Sequence, residues 1–84
     1  MLLVIRAAHM MTLNQLNIGQ LATIHDVHSG NALVRLCDAL GLIPGAPVTV
    51  LRRARGKGPM QIKSMGTLYA IRSDDAEYIN VEVA

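Results

Sequence analysis

The stretch LCDALGLIPGAPVTV, residues 36–50, constrains the fold most, because its periodicity changes abruptly. Gly41 stands where a helix ends in the left-handed conformation, which glycine adopts without strain. Pro44 and Gly45 predict a type II turn, and Pro47 marks a strand start because it cannot donate a ladder hydrogen bond. The sequence therefore predicts a helix over residues 32–40 and a sharp reversal into a strand. The apolar face of that helix follows the i, i+3, i+4, i+7 spacing, with Leu33, Leu36, Cys37 and Leu40.

Alternation of apolar and polar residues predicts the other extended segments. Ser29 or Asn31 is the expected cap of the helix, and Ser73 is the expected cap of one helical turn in SDDAE. The predicted strands cover residues 20–27, 48–53, 60–65, 67–72 and 78–83.

This order of elements indicates a mainly β protein, a small barrel of about five strands with one short α-helix after the first strand. Residues 12–84 are predicted to form the domain, and residues 1–11 an N-terminal extension that is either disordered or an added strand. The hydrophobic fraction is 51%, and Tyr69 and Tyr78 are the only aromatic residues, which predicts an aliphatic core. Few aromatic rings also disfavour stacking on single-stranded nucleic acid.

Charge and cysteine content bear on the kind of partner and on the cellular location. The formal net charge is +2, which demands no polyanionic partner. The single cysteine cannot form an internal disulfide, and no apolar run reaches the length of a membrane span. A cytoplasmic protein without direct membrane insertion is the expectation.

Three features together resemble the FeoA family of ferrous iron transport accessory proteins: the helix ending LVRLCDALGLIPGAPVTV, the hairpin RRARGKGPMQIKSMG and the finish TLYAIRSDDAEYINVEV. The resemblance covers nearly all of residues 12–83. It implies an SH3-like barrel that is not an enzyme. It also implies a cytoplasmic partner of FeoB, the GTP-dependent Fe(II) transporter, which would hold the protein at the inner face of the membrane.

Partner contacts are expected at the helix end and the turn, where four apolar residues flank a rigid backbone held by Gly41 and Gly45. For two of them, Leu40 and Leu42, the alternative is a core position that closes the barrel end. The predicted apolar contact residues are Leu40, Leu42, Ile43 and Pro44.

The basic hairpin offers a second set of predicted partner-binding residues, Arg52, Arg53 and Arg55. They are either a solvated hairpin tip, or a docking site for an acidic protein surface, or a contact for phosphate. The last alternative describes a small RNA-binding barrel, although nucleic acid is not the expected partner.

His25 and His28 are the candidate metal ligands, since HDVH places two imidazoles close together. On a straight strand they point to opposite faces, so both bind one ion only if the strand ends between them. No cofactor is required, and a divalent transition metal there is either adventitious or the mark of a metal-sensing SH3-like module. The sequence shows no catalytic constellation, and an edge strand leaves a homodimer and a monomer both open.

Overall fold

The structure is a computed structural model that describes residues 9–28, 30–56 and 58–83, apart from the side chain of Asn31. The first eight residues of the extension predicted over residues 1–11, and the predicted cap at Ser29, lie outside the described residues. Among the described residues, no helix has the length and apolar character needed to cross a membrane.

One antiparallel sheet of six strands, in the order β1-β6-β2-β3-β4-β5, forms the body of the described chain. The prediction of a mainly β fold with one short α-helix is confirmed, and the helix follows the strand predicted as the first, which is the second in the structure. One more strand than expected is present, because residues 9–12 pair with β6 at the edge of the sheet. The elements are β1 (His9–Thr12), β2 (Leu21–Val27), α1 (Asn31–Leu40), β3 (Pro47–Arg53), β4 (Met60–Ser64), β5 (Thr67–Ile71), α2 (Ser73–Ala76) and β6 (Ile79–Val83).

Two irregularities in strand register bend the sheet. The pairing of β2 with β6 shifts between Ile24 and Asp26, and the pairing of β3 with β4 shifts between Val50 and Arg52. An extra residue on one strand increases the local twist, which curls a flat sheet towards a barrel.

The core is aliphatic, as the composition predicts. Alternate residues of β4 and β6 point inwards, and Leu13 and Leu16 from the turn after β1 fill one end. Ser64 is the buried polar residue among them, and its hydroxyl donates a hydrogen bond to the carbonyl oxygen of Pro47. The largest fully buried side chains are Leu13, Leu16, Leu42, Met60, Ile62, Ile79, Val48, Val50 and Val81.

Helix α1 ends as predicted and begins differently. Gly41 adopts φ +78°, and its N–H donates to the carbonyls at the helix end, as expected of a left-handed cap. The N-cap is Gly30 with extended backbone, so the prediction of Asn31 as the cap is wrong. Ser73 is likewise the first helical residue of α2 rather than its cap, which is Arg72. Neither Gly30 nor Arg72 caps its helix with a side-chain hydrogen bond to the helix backbone, so neither helix begins with the usual short polar cap.

A candidate interaction surface at the helix-to-strand turn

The turn between α1 and β3 is held rigidly from both sides. Gly45 has φ +92°, and the N–H of Ala46 donates to the carbonyl of Ile43 across 3.0 Å, which is the geometry of a type II turn. The turn is also tied to β2, because Gly45 donates to the carbonyl of Ile24 at 2.8 Å and Ile24 donates to Ala46 at 2.9 Å. The predicted turn is confirmed, and its backbone has little freedom to lose on binding.

The four apolar residues predicted as partner contacts separate into two groups. Ile43 is 46% exposed, and Leu40 and Pro44 are also exposed. Leu42 is 1% exposed and belongs to the core, so its predicted place on the contact surface is wrong. The reason is local. After the left-handed cap at Gly41 the side chain of Leu42 points into the core, and that of Ile43 points outwards again.

A residue from a distant part of the sequence completes this surface. Met65 in the turn between β4 and β5 is 79% exposed and lines one shallow hollow of about 330 Å³ together with Ile43, Pro44 and Pro47. We call these four residues the turn patch. Met65 was not predicted as a contact, because the alternation in its strand does not distinguish it from any other residue of a hairpin that points outwards.

The three hairpin arginines lie at the other end of β3 from the turn patch. From Pro47 to Arg53 the strand spans about 20 Å at the usual rise per residue, so the two sets do not form one site. All three arginines are exposed, but Arg53 donates a hydrogen bond to the carbonyl of Leu16 and is therefore anchored to the domain. Arg52 and Arg55 keep their charge at the surface.

His25 and His28 are exposed, and of these two only His25 lies within hydrogen-bonding distance of a carboxylate of the described residues. Nδ1 of His25 lies 2.9 Å from Oε1 of Glu82 on the neighbouring strand. Strand β2 ends at Val27, which meets the condition for His28 to leave the strand plane, but the described residues hold no group of three metal-binding side chains. Binding of a divalent metal by His25 and His28 stays a prediction.

Cys37 lies on the buried side of α1 and has the character of a small apolar residue. Burial raises the pKa of its thiol, and the negative charges of Asp38 and Asp75 raise it further. Since the thiolate is the nucleophilic form, this environment opposes reactivity at the thiol.

A small curled antiparallel sheet of six strands, with one short helix and one further helical turn, places the chain in the class of small SH3-like barrel domains. Comparison with family models narrows this class. The model described as FeoA domain matches residues 11–83, so the chain belongs to the FeoA family, which is involved in ferrous iron transport. The resemblance read from the sequence is confirmed.

Solved structures agree with this assignment. FeoA from Chlorobium tepidum is 34% identical, with 87% of this chain and 70% of that chain covered and a TM-score of 0.81. Stenotrophomonas maltophilia FeoA, described as a prokaryotic SH3 domain protein complexed with zinc, is 27% identical, with coverages of 84% and 88% and a TM-score of 0.74. The search of curated protein sequences finds no match.

A wider group shares only the fold. A manganese-dependent transcriptional repressor superposes with a TM-score of 0.83 over 95% of this chain and 45% of that chain, at 16% identity. At this identity the likeness shows the architecture alone. The same barrel therefore serves proteins of different function, and a function has to be argued from surfaces.

Proposed function

We propose that this protein is a small cytoplasmic accessory protein of ferrous iron uptake that binds the transporter FeoB and modulates its activity by protein–protein contact. It acts by binding and catalyses no reaction of its own. The turn patch is the primary contact, and the bound protein lies at the inner face of the membrane. Membership of the FeoA family supports the link to iron transport.

The observation that carries the proposal is the exposure of Ile43 directly beside buried Leu42. Three backbone hydrogen bonds fix the turn, so Ile43 and Pro44 stand on a preorganised backbone, and Met65 lines the same hollow. Because the backbone of the turn is already ordered, a partner gains the free energy of burying these apolar side chains without ordering a loop. Such anchors typically carry much of the binding energy of an interface.

The charged hairpin has a separate role in this proposal. Arg52 and Arg55 attract an acidic partner surface and accelerate association, and they contribute less to the lifetime of the complex. The proposed action needs no bound cofactor. A divalent metal at His25 and His28 is a separate proposal, on which the partner contact does not depend.

The experiment is a calorimetric titration of the protein into the soluble GTPase region of its cognate FeoB, with and without guanine nucleotide. We expect saturable binding, and we expect Ile43→Asp to weaken it at least about tenfold, because a carboxylate would be buried in an apolar contact. Ile18→Asp is the matched control, since Ile18 is 62% exposed and lies outside the turn patch.

Three results decide the proposal. Equal affinity of the Ile43→Asp variant and the wild-type protein would refute the turn patch as the contact. Unfolding of that variant in circular dichroism would show that Ile43 is a core residue. Absence of binding to the GTPase region and to full-length FeoB in detergent would refute the partner itself.

A further inference from the structure

A polar hollow of about 160 Å³ lies beside the basic hairpin, at the end of β3 away from the turn patch. Its polar side chains come from three distant parts of the chain. Asn14 belongs to the turn after β1, Arg53 is the last residue of β3, and Ser73 is the first residue of α2. We call the surface formed by these three residues the polar hollow. The other described residues that line it are small or apolar: Ala54, Gly56, Gly58 and Met60.

The polar side chains of the hollow offer mainly hydrogen-bond donors. The guanidinium of Arg53 donates to the carbonyl oxygen of Leu16, which leaves most of its N–H groups for another acceptor. The side-chain oxygen of Asn14 accepts from the hydroxyl of Thr12, so the amide nitrogen of Asn14 is left to donate. The hydroxyl of Ser73 makes no hydrogen bond to any described residue. A ligand with several acceptor oxygens would satisfy all three side chains.

The formal charge of the hollow is positive. Neither of the two ion pairs found among the described residues includes Arg53, and no acidic side chain of that part of the chain lines the hollow. Asp74 at the start of α2 is exposed and is not part of the lining, and Asp75 pairs with Arg72. The hairpin sequence over residues 52–58 adds to the positive charge, with four cationic residues and no acidic one. The ligand that fits these donors is therefore an anion.

We propose that the polar hollow binds the phosphate group of a phosphate ester. The planar fork of Arg53 can donate to two phosphate oxygens at once, and Asn14 and Ser73 donate to the oxygens that remain. A carboxylate has only two oxygens and would leave donors unused. The volume also fits, because about 160 Å³ corresponds to about five water molecules of about 30 Å³ each, and a phosphate group has five non-hydrogen atoms.

The hollow favours a single phosphate group over a nucleic acid strand. Tyr69 and Tyr78 are the only aromatic residues of the chain, and neither lines the hollow, so no ring is placed to stack on a base. The neighbouring Arg52 lines a separate hollow beside Ala70 and not this one. The arginines therefore do not form one continuous track for a backbone. The inference depends neither on the turn patch nor on the identity of the transporter.

The test titrates glycerol 3-phosphate into the isotope-labelled protein and follows the amide chemical shifts. We expect saturable shifts centred on Asn14, Arg53 and Ser73. Acetate at the same ionic strength should bind at least about tenfold more weakly, since the carboxylate engages fewer donors. A second arm uses sedimentation with phosphatidylglycerol vesicles. Vesicle binding that glycerol 3-phosphate displaces would identify a lipid headgroup as the source of the phosphate, and saturable binding of glycerol 3-phosphate alone would identify a soluble ester.

Two neighbouring arginines provide a matched pair of variants. Arg53→Gln and Arg52→Gln remove the same charge from adjacent positions of β3, but only Arg53 lines the polar hollow. We expect Arg53→Gln to weaken binding of glycerol 3-phosphate at least about tenfold, and Arg52→Gln to weaken it less than about threefold. Because Arg53 also holds the carbonyl of Leu16, Ser73→Ala is a second test that leaves this contact intact. It should weaken binding about fivefold, through loss of one hydrogen bond to a charged group.

Four results would overturn the inference. Equal losses with Arg52→Gln and Arg53→Gln would show that binding follows the overall charge of the hairpin. Equal affinity for acetate and glycerol 3-phosphate would remove the argument from the number of donors. A single-stranded RNA that binds more tightly than the ester, and is weakened equally by both arginine variants, would show that the ligand is a polynucleotide. If glycerol 3-phosphate does not saturate the wild-type protein at millimolar concentration and the vesicles do not bind, the hollow does not accept a phosphate ester.

Discussion

Leu42 and Ile43 are neighbours in sequence with opposite environments, and replacing each by alanine tests the surface directly. Leu42 is 1% exposed and packs in the core, whereas Ile43 is 46% exposed in the turn patch. Both substitutions remove a similar aliphatic volume from the same loop. The two positions therefore differ in their packing and not in the chemistry of the change.

The expected magnitudes follow from the burial. Truncating a fully buried leucine costs about 2–5 kcal/mol, from lost transfer free energy and from the cavity left behind. For Ile43, half of the side chain already contacts water, so the cost should stay below about 1 kcal/mol. A small domain has a total stability of about 5–15 kcal/mol, so Leu42→Ala should be folded but clearly weakened.

Urea denaturation followed by circular dichroism gives the free energies of unfolding, and titration into the GTPase region of FeoB gives the affinities. We expect a large stability loss with Leu42→Ala and a large affinity loss with Ile43→Ala. If Ile43→Ala loses as much stability as Leu42→Ala, the exposed position of Ile43 and the turn patch built on it are both refuted. Similar slopes of the two unfolding curves are needed for the comparison to hold.

Three further predictions use other parts of the structure. Gly45→Ala should lose about 1–2 kcal/mol of unfolding free energy, because alanine is strained at φ +92° although no atom lies within 4 Å of its new Cβ. Gly45→Asn should lose less in the same urea titration, and equal losses would contradict the conformational argument. Tyr69→Phe should lower the free energy of unfolding by about 0.5–1.5 kcal/mol, because the hydrogen bond to the carbonyl of Leu40 is removed. Amide hydrogen exchange at the end of α1 should become faster, and unchanged exchange would show that this bond does not hold the helix. Since folding raises the pKa of the Cys37 thiol, its contribution to stability is complete below the ordinary thiol pKa of about 8.5 and is lost as pH rises further. Urea titrations between pH 7 and pH 10 should show this loss in the wild-type protein and a smaller one in Cys37→Ala, and parallel curves would contradict it.

Much of the fold follows from local signals in the sequence. Gly41 and Gly45 both take the positive φ that their positions predict, and strand β3 begins at Pro47 as expected. The alternation over residues 60–65 likewise predicts a strand, which the structure has as β4. These predictions hold because each depends on the conformational limits of one residue or on the two-residue period of a strand.

The features that the sequence did not predict depend largely on contacts between residues that are distant in sequence. Strand β1 forms because residues 9–12 pair with the edge of β6, and the sequence left residues 1–11 open between disorder and an added strand. The caps at Gly30 and Arg72 make no side-chain hydrogen bond to the helix, so no short polar capping residue marks them in the sequence. Met65 joins the turn patch only because the β4–β5 turn lies beside Pro47.

Helix α1 shows most clearly where sequence reasoning reaches its limit. Its stripe of Leu33, Leu36, Cys37 and Leu40 predicts one buried face, and the spacing treats the four residues as equivalent. The structure buries Cys37 and leaves Leu36 half exposed, so the core covers only part of the stripe. An apolar stripe therefore specifies that a face needs cover but not whether the core or a partner supplies it. In a domain this small the core cannot cover every apolar residue, so leucines of one helix can serve stability and recognition together.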